Sequence, residues 1–283
     1  MLLWHRTIRN LRQLALAGIA LLHPLAAIAQ PPLQLGIFPY LPTATLLTTY
    51  EPLRQHLAAR LQRPVEASTA HDFRAFVRRC LAGEYDLLVM GSGMGRYVEM
   101  EAGYVPLVVS RRKIHALLLV GTGSKYARIA ELRNGRVTSL DPFTVSSQLG
   151  AQLLRNGGLD PQRDVRFDFV TTPFNAAQAV ILGEAEAAIV PNLLLAQLSA
   201  EMRAKLRVLA ESPAIAGITF YARKEAALPP PQLAALLIDF SDKHEAGRRF
   251  VQQAQLDGLR LPAANEFRMN DAFLPETHRQ LQR

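Results

Sequence analysis

Ser139-Leu140-Asp141-Pro142-Phe143-Thr144-Val145-Ser146-Ser147 decides how this chain folds and what it can hold. Residues 136–140 predict a short strand. Pro142 turns the chain, since proline fixes its own φ and drives its predecessor out of the helical region. A cluster of hydroxyl residues follows, and residues 148–155 carry the spacing of an amphipathic helix. Strand, turn, hydroxyls and helix in that order place the unpartnered N–H groups of a helix start beside side-chain hydroxyls. Such a helix start attracts anions, because its first N–H groups lack acceptors and the helix dipole is positive there. The same residues have a plainer reading, in which Ser146 or Thr144 is a helix N-cap. The segment alone leaves both open.

On either side, strand-like and helix-like segments alternate. Strands are predicted over residues 33–38, 65–67, 86–90 and 105–109, with helices over 46–61, 71–82 and 95–102. Leu46, Leu47, Tyr50, Leu53, Leu57 and Leu61 fall on one helical face. The pattern then repeats, with strands over 114–120, 136–140, 165–170, 187–190, 206–209 and 215–221. Helices are predicted over 148–155, 174–182, 193–198, 230–240 and 244–255. Repeated βα units build mostly parallel sheets covered by helices. An internal echo marks two similar halves: Leu81-Ala82-Gly83-Glu84-Tyr85-Asp86 and Leu182-Gly183-Glu184-Ala185-Glu186. Each reads as a helix end, a glycine in the left-handed C-cap position and an acid ahead of a buried strand. Residues 261–283 are expected to pack on the first half and to end in a polar helix.

In such sheets the loops at the carboxyl ends of strands hold ligands. Those loops contain Tyr40, Thr69 to Asp72, Gly91-Ser92-Gly93, the hydroxyl cluster, Thr171-Thr172-Pro173-Phe174-Asn175 and Asn192. They are rich in Ser, Thr, Asn and Gly and almost free of catalytic groups, an inventory that suits hydrogen-bonding a small polar ligand.

The amino terminus has the marks of a cleavable secretory leader. Arg6, Arg9 and Arg12 precede an apolar run over 14–22 that is short for a membrane span, and Ala27-Ile28-Ala29 is a small-x-small cleavage site. Residues 1–29 are therefore expected to be removed, and the rest to be a soluble periplasmic protein. Loss of the three arginines lowers the formal net charge from +8 to +5. That scattered excess suits an anionic ligand better than nucleic acid, which needs a dense basic stripe. Arg111-Arg112-Lys113 reads as a solvated connector. Cys80, the single cysteine, falls on the stripe Phe73, Phe76, Val77, Cys80, Leu81 and is expected to be a buried structural thiol.

Catalytic signatures are missing from the sequence. Gly91-Ser92-Gly93-Met94-Gly95 has the wrong spacing for a dinucleotide fingerprint, and no phosphate loop or nucleophile elbow is present. The histidines are scattered, and no clustered spacing implies a metal. His115 reads as a packed core or hinge residue.

At the level of motifs the chain resembles the periplasmic solute-binding proteins of phosphate, phosphite and phosphonate ABC transporters. The resemblance runs from about residue 35 to 221. It rests on Gly36-Ile37-Phe38-Pro39-Tyr40; Tyr50-Glu51-Pro52-Leu53; Gly83 and Asp86 with Tyr97 beyond; His115 to Leu119; Asp141-Pro142 with Thr144 and Ser146; and Asn175 to Val180 with Gly183. It implies an α/β, two-lobed type II periplasmic binding fold with two crossover hinges, near residues 111–114 and 211–217. The expected lobes are residues 30–110 with 217–283, and residues 111–216. It implies oxyanion contacts from Thr144, the Val145 backbone, Ser146 and Ser147, with Tyr40 and Tyr97 approaching from the first lobe. Ser92, Thr172 and Asn175 are further candidate contacts, and Glu186 is the expected acceptor for a protonated ligand oxygen. The family's usual Gly after the last Ser is replaced here by Ser147, and Pro173 or Phe174 stands where a His is common. The implied function is capture of a small oxyanion for an ABC importer, with its membrane permease as partner. The alternative is a periplasmic sensing module that signals to a membrane histidine kinase. No chemistry, cofactor, metal or nucleic-acid partner is expected, and the protein is expected to be a monomer.

Overall fold

The computed structural model describes residues 30–224 and 226–282; the expected leader, residues 1–29, lies outside them. Each of the ten runs read as a strand enters one of two sheets. In chain order the strands are β1 (Leu33–Ile37), β2 (Val65–Ser68), β3 (Leu87–Gly91), β4 (Val105–Ser110), β5 (Ala116–Gly121), β6 (Arg136–Ser139), β7 (Arg166–Phe169), β8 (Ala187–Pro191), β9 (Leu206–Glu211), β10 (Ile218–Ala222) and the short β11 (Leu259–Arg260). The first sheet has the order β11-β4-β10-β3-β1-β2 and the second β7-β6-β8-β5-β9.

Parallel pairing is confined to matching triplets. β1 pairs with β2 and β3, and β6 with β7 and β8, in parallel. β10 runs antiparallel between β3 and β4, and β5 antiparallel between β8 and β9. The halves therefore share one plan, in which the antiparallel strand of each sheet comes from the segment that links the two. An apolar run does not encode strand direction, so the sequence pattern could not distinguish these strands from parallel ones.

Helices α1 (Thr43–Leu61), α2 (Phe73–Leu81), α3 (Ser92–Ala102), α4 (Val145–Asn156), α5 (Pro173–Ile181), α6 (Leu194–Gln197), α7 (Ala200–Ala204), α8 (Pro230–Lys243), α9 (Glu245–Gln253) and α10 (Leu274–Gln282) cover the sheets. Side chains alternate across a strand, so each sheet feeds two cores. In β3, Leu87 and Val89 join Leu46, Tyr50, Leu53 and Leu57 of α1 and Phe240 and Phe250 of α8 and α9. Leu88 and Met90 join Phe76, Val77 and Cys80 of α2 and Tyr97 and Val98 of α3. Cys80 is fully buried, as expected, and burial pushes its thiol pKa up, away from reactivity. The second sheet splits likewise between α4 and α5. α7 was not foreseen as a helix.

The echo between the halves is exact in backbone terms. Gly83 has φ +72° and Gly183 has φ +74°, a conformation that side chains resist. The acid three residues on then performs the same task in each half. Asp86 accepts the backbone N–H of Gln34 at the start of β1 (2.8 Å), and Glu186 accepts that of Arg136 at the start of β6 (2.6 Å).

The chain crosses between the sheets twice, from Ser110 to Ala116 and from Glu211 to Ile218. The crossovers pair with each other through Ile114 and Ile215, whose N–H groups donate to each other's carbonyls at 3.1 and 2.9 Å. His115 lies beside them, 3.6 Å from Glu211. Arg111-Arg112-Lys113 is more firmly held than a solvated connector. The backbone N–H groups of Arg111 and Arg112 donate to Gly258 and Leu256, and Arg112 pairs with Asp257.

The tail also departs from expectation. Its 3-10 turn, Glu266–Phe273, places Phe273 in the core of the second sheet, while Leu274 and Leu281 of α10 pack against the first. It therefore straps both halves together instead of resting on one.

Candidate functional site

Two helices begin where strands end, and their first turns meet. β3 runs directly into α3, so Gly91 to Gly93 is a strand-to-helix junction and not the loop expected. Gly91 keeps extended backbone (φ −65°, ψ 143°) and Ser92 opens the helix. After β6, Asp141 accepts the Phe143 N–H (2.8 Å) in a tight turn. Thr144 then caps α4 by accepting the N–H of Ser147 (3.3 Å). Helix α4 starts three residues earlier than its apolar spacing predicted, because the cap and the hydroxyl residues belong to its first turn. A methyl group built on Gly93 would lie 3.0 Å from Val145 Cγ2 and 3.4 Å from Gln148 Oε1. Two positive helix ends, each equivalent to roughly half a charge, thus face one another. The N–H groups of Ser92, Gly93, Val145 and Ser146 have no intrahelical acceptor by position.

The hydroxyls form a connected network. Thr144 Oγ1 donates to Asp141 O (2.8 Å) and Ser147 Oγ to Leu140 O (2.8 Å). Ser147 Oγ also lies 2.7 Å from Ser139 Oγ and 2.8 Å from Thr144 Oγ1. Ser146 Oγ has only a 3.4 Å contact, to Thr144 Oγ1. Both serines are 3% exposed. Ser147 is therefore the structural hub, and Ser146 keeps the least committed hydroxyl. The cap reading and the anion reading are both served, by different residues of one turn.

The turn is seated from the other half of the molecule. Phe143 is buried among Phe38, Phe76 and Tyr97 of the first sheet's second core. The Arg74 guanidinium lies 5.8 Å above its ring and donates from Nε to Gln280 O. Burial raises the pKa of Asp141 above the usual carboxylate range, opposed by the Phe143 N–H and the Arg74 charge.

The remaining candidates are placed as follows. Ser92 is in the junction, but its hydroxyl donates to Ala216 O of the return crossover (2.6 Å). Tyr40 stacks on Phe38 and bonds Tyr50 through its hydroxyl (3.1 Å), where burial pushes its pKa to about 12. Tyr97 bonds His278 Nδ1 of α10 (3.0 Å). Both tyrosines are engaged within the first half and the tail. Thr172 caps α5 through the Asn175 N–H (3.1 Å), and Asn175 donates to Thr171 (3.1 Å), both exposed at the carboxyl end of β7. Glu186 is a correction. It stands at the amino ends of β6 and β8, tied to the Arg136 N–H, with the whole of β6 between it and the hydroxyl turn.

Two contributors escaped sequence reading. Gln148, in the first turn of α4, donates from Nε2 to Thr277 Oγ1 of α10 (3.2 Å). Arg74 reaches the turn from α2. The polar run Ser146-Ser147-Gln148 carried the only signal for the first, and nothing local marks the second. Among the described residues no group of acids, histidines and cysteine is placed to hold a metal, and no helix is long and apolar enough to cross a membrane.

The family described as ABC transporter, phosphonate, periplasmic substrate-binding protein matches residues 35–267. No curated protein matches significantly. Solved structures share the fold at low identity. XAC2383 from Xanthomonas citri, bound to chloride, superposes with a TM-score of 0.75 at 18% identity, over 88% of this chain and 99% of that one. PhnD1 from Prochlorococcus marinus, in complex with methylphosphonate, gives 0.73 at 12% identity, over 87% and 98%. The binding component of an ABC phosphonate transporter from Pseudomonas aeruginosa gives 0.70 at 17% identity, over 89% of each.

Proposed function

The chain belongs to the periplasmic substrate-binding proteins of phosphonate ABC transporters, and from that premise we propose that it captures a small tetrahedral oxyanion between its two halves for an importer. The convergence of the first turns of α3 and α4 around the hydroxyl cluster carries the reading. In it, the N–H groups of Val145 and Ser146 and the Ser146 hydroxyl bind the anion's oxygens from the second half, with Thr144 behind them. The N–H groups that open α3 complete the field from the first half. Methylphosphonate, the ligand of the Prochlorococcus marinus relative, is the first probe this reading names.

Release requires the halves to part. The paired crossovers at Ile114 and Ile215 are the natural hinge, since they run side by side between the sheets and are joined by two hydrogen bonds. The family's import partner, the transporter permease, would receive the closed form.

The test is thermal unfolding of protein that has been unfolded and refolded to strip carried ligand. Phosphate, phosphite, methylphosphonate, aminoethylphosphonate and sulfate are each added in excess. At about 100 times the dissociation constant a ligand adds roughly 2.7 kcal/mol, which is roughly 5–11 °C for a protein of this size. A shift of that order with a phosphorus oxyanion is the expected result. No shift with any of them overturns the reading.

A further inference from the structure

Gln148 is 5% exposed, and its amide oxygen Oε1 has no hydrogen-bond partner. Burying an acceptor without a donor costs free energy, so this oxygen needs an explanation. Its orientation is fixed from behind. Nε2 donates to Thr277 Oγ1, itself 1% exposed, on α10, which turns Oε1 away from the tail. Oε1 faces Gly93, 3.4 Å from where a β-carbon on that glycine would stand. It therefore lies between the two helix first turns, where the other available groups are N–H donors and the Ser146 hydroxyl, which can turn to donate or accept. Of the charged side chains about it, Arg155 of α4 and Glu276 of α10 line the groove beside Gln148, and Asp141 and Arg74 flank the turn below Thr144.

A site of donors suits any oxyanion, whereas one fixed acceptor among them does not. It repels a fully ionised oxygen and rewards an oxygen that still carries its proton. Resting on the anion site proposed above, we infer that Gln148 is its specificity-determining residue. It selects anions that bring a hydrogen-bond donor, as a hydrogen phosphonate or hydrogen phosphate does. It rejects sulfate and sulfonates of the same shape, which have no proton to offer. Thr277 is the positioning residue that anchors the outer end of the amide, while the positive starts of α3 and α4 favour oxygen over nitrogen at its inner end, and so it links the tail to ligand choice. The expected acceptor for the ligand's proton, Glu186, is replaced in this role by a neutral amide at the opposite end of β6.

Methylphosphonate and methanesulfonate differ in little beyond that proton. Their dissociation constants are measured by titration calorimetry on the full protein, below the second ionisation of methylphosphonate. The wild type is expected to prefer methylphosphonate by about tenfold or more, as an unmatched buried acceptor is typically worth. Gln148→Leu removes the acceptor and brings the two within a few-fold, with methanesulfonate gaining. Gln148→Met keeps the length of the side chain and gives the same result should the leucine variant fold poorly. Thr277→Val releases the amide to present its N–H, so methanesulfonate tightens while methylphosphonate weakens. A structural role alone would weaken both together. Equal binding of both anions by the wild type, or parallel losses in the variants, overturns the role of Gln148 while leaving the anion site standing. Binding of neither anion overturns this inference, and the anion site falls with it when phosphate, phosphite, aminoethylphosphonate and sulfate also fail to bind.

Discussion

Ser146 and Ser147 are adjacent and equally buried, yet truncating each to alanine is expected to do different things. The Ser147 hydroxyl donates to the Leu140 carbonyl at 2.8 Å and lies 2.7 Å from Ser139 Oγ. Ser147→Ala leaves that carbonyl and the Ser139 hydroxyl without their partner inside the protein. One lost hydrogen bond is worth about 0.5–1.5 kcal/mol, and an orphaned buried group about 1–3 kcal/mol. The sum expected is about 1.5–4.5 kcal/mol, or a fall in melting temperature of roughly 3–18 °C for a protein of this size. Ser146 has a single contact of 3.4 Å, so Ser146→Ala is expected to cost under about 0.5 kcal/mol and to leave the melting temperature within roughly 2 °C. Its cost is to binding. A hydroxyl bonded to a charged oxygen is worth about 1.5–3 kcal/mol, which weakens the dissociation constant roughly 10- to 150-fold. Melting without ligand, followed by calorimetry with methylphosphonate, separates the two. The reasoning fails if Ser147→Ala melts like the wild type, or if Ser146→Ala loses as much stability as its neighbour.

Gly150 faces Ile189 across the second core, and a β-carbon there would lie 2.2 Å from Ile189 Cγ2. Gly150→Ala is expected to lose about 1–3 kcal/mol through overpacking, and an unchanged melting temperature in this variant would contradict the packing described. His56 stacks on Phe240 (4.5 Å) and meets His244 edge-on (4.8 Å). Burial above all, then the nearby His244 and Arg60 charges, lowers its pKa. A lowered value means the folded state resists the proton, so this stability is present above the ordinary value of 6.5 and is lost as pH falls through the folded value. Melting at pH 5 against pH 7.5 should show that loss, and His56→Leu should reduce it; equal slopes in the two proteins would refute the assignment.

Much of this molecule is legible locally. The glycine turns at Gly83 and Gly183 announce the repeated half, because a left-handed residue after a helix leaves a mark in a few adjacent letters. The helix start at Thr144 is legible for the same reason. Other features needed the third dimension. Asp86 and Glu186 read as turn acids, and only strand pairing shows that they close the starts of β1 and β6. The antiparallel placement of β5 and β10 follows from topology and not from any residue within them. Tyr97 was expected at the ligand. The partner that holds it, His278, is 181 residues away, and no spacing rule reaches so far. Gln148 opens the helix expected from its spacing, three residues after the true start, and its partner Thr277 is 129 residues away.

The tail that joins the halves lies far along the chain from the residues it holds: Thr277 meets Gln148 across 129 residues and His278 meets Tyr97 across 181. Both sheets and nine of the ten helices named here precede residue 261, so each half holds its own sheet and core without Thr277 and His278. Contacts that close loops so long carry a large entropy cost and form late, so a stage in which the halves are folded but not yet strapped is expected. In that stage the polar grip on Gln148 and Tyr97 is missing, and the site is built but not tuned. On the role proposed for Gln148, selectivity for a ligand is then acquired later in folding than the site itself.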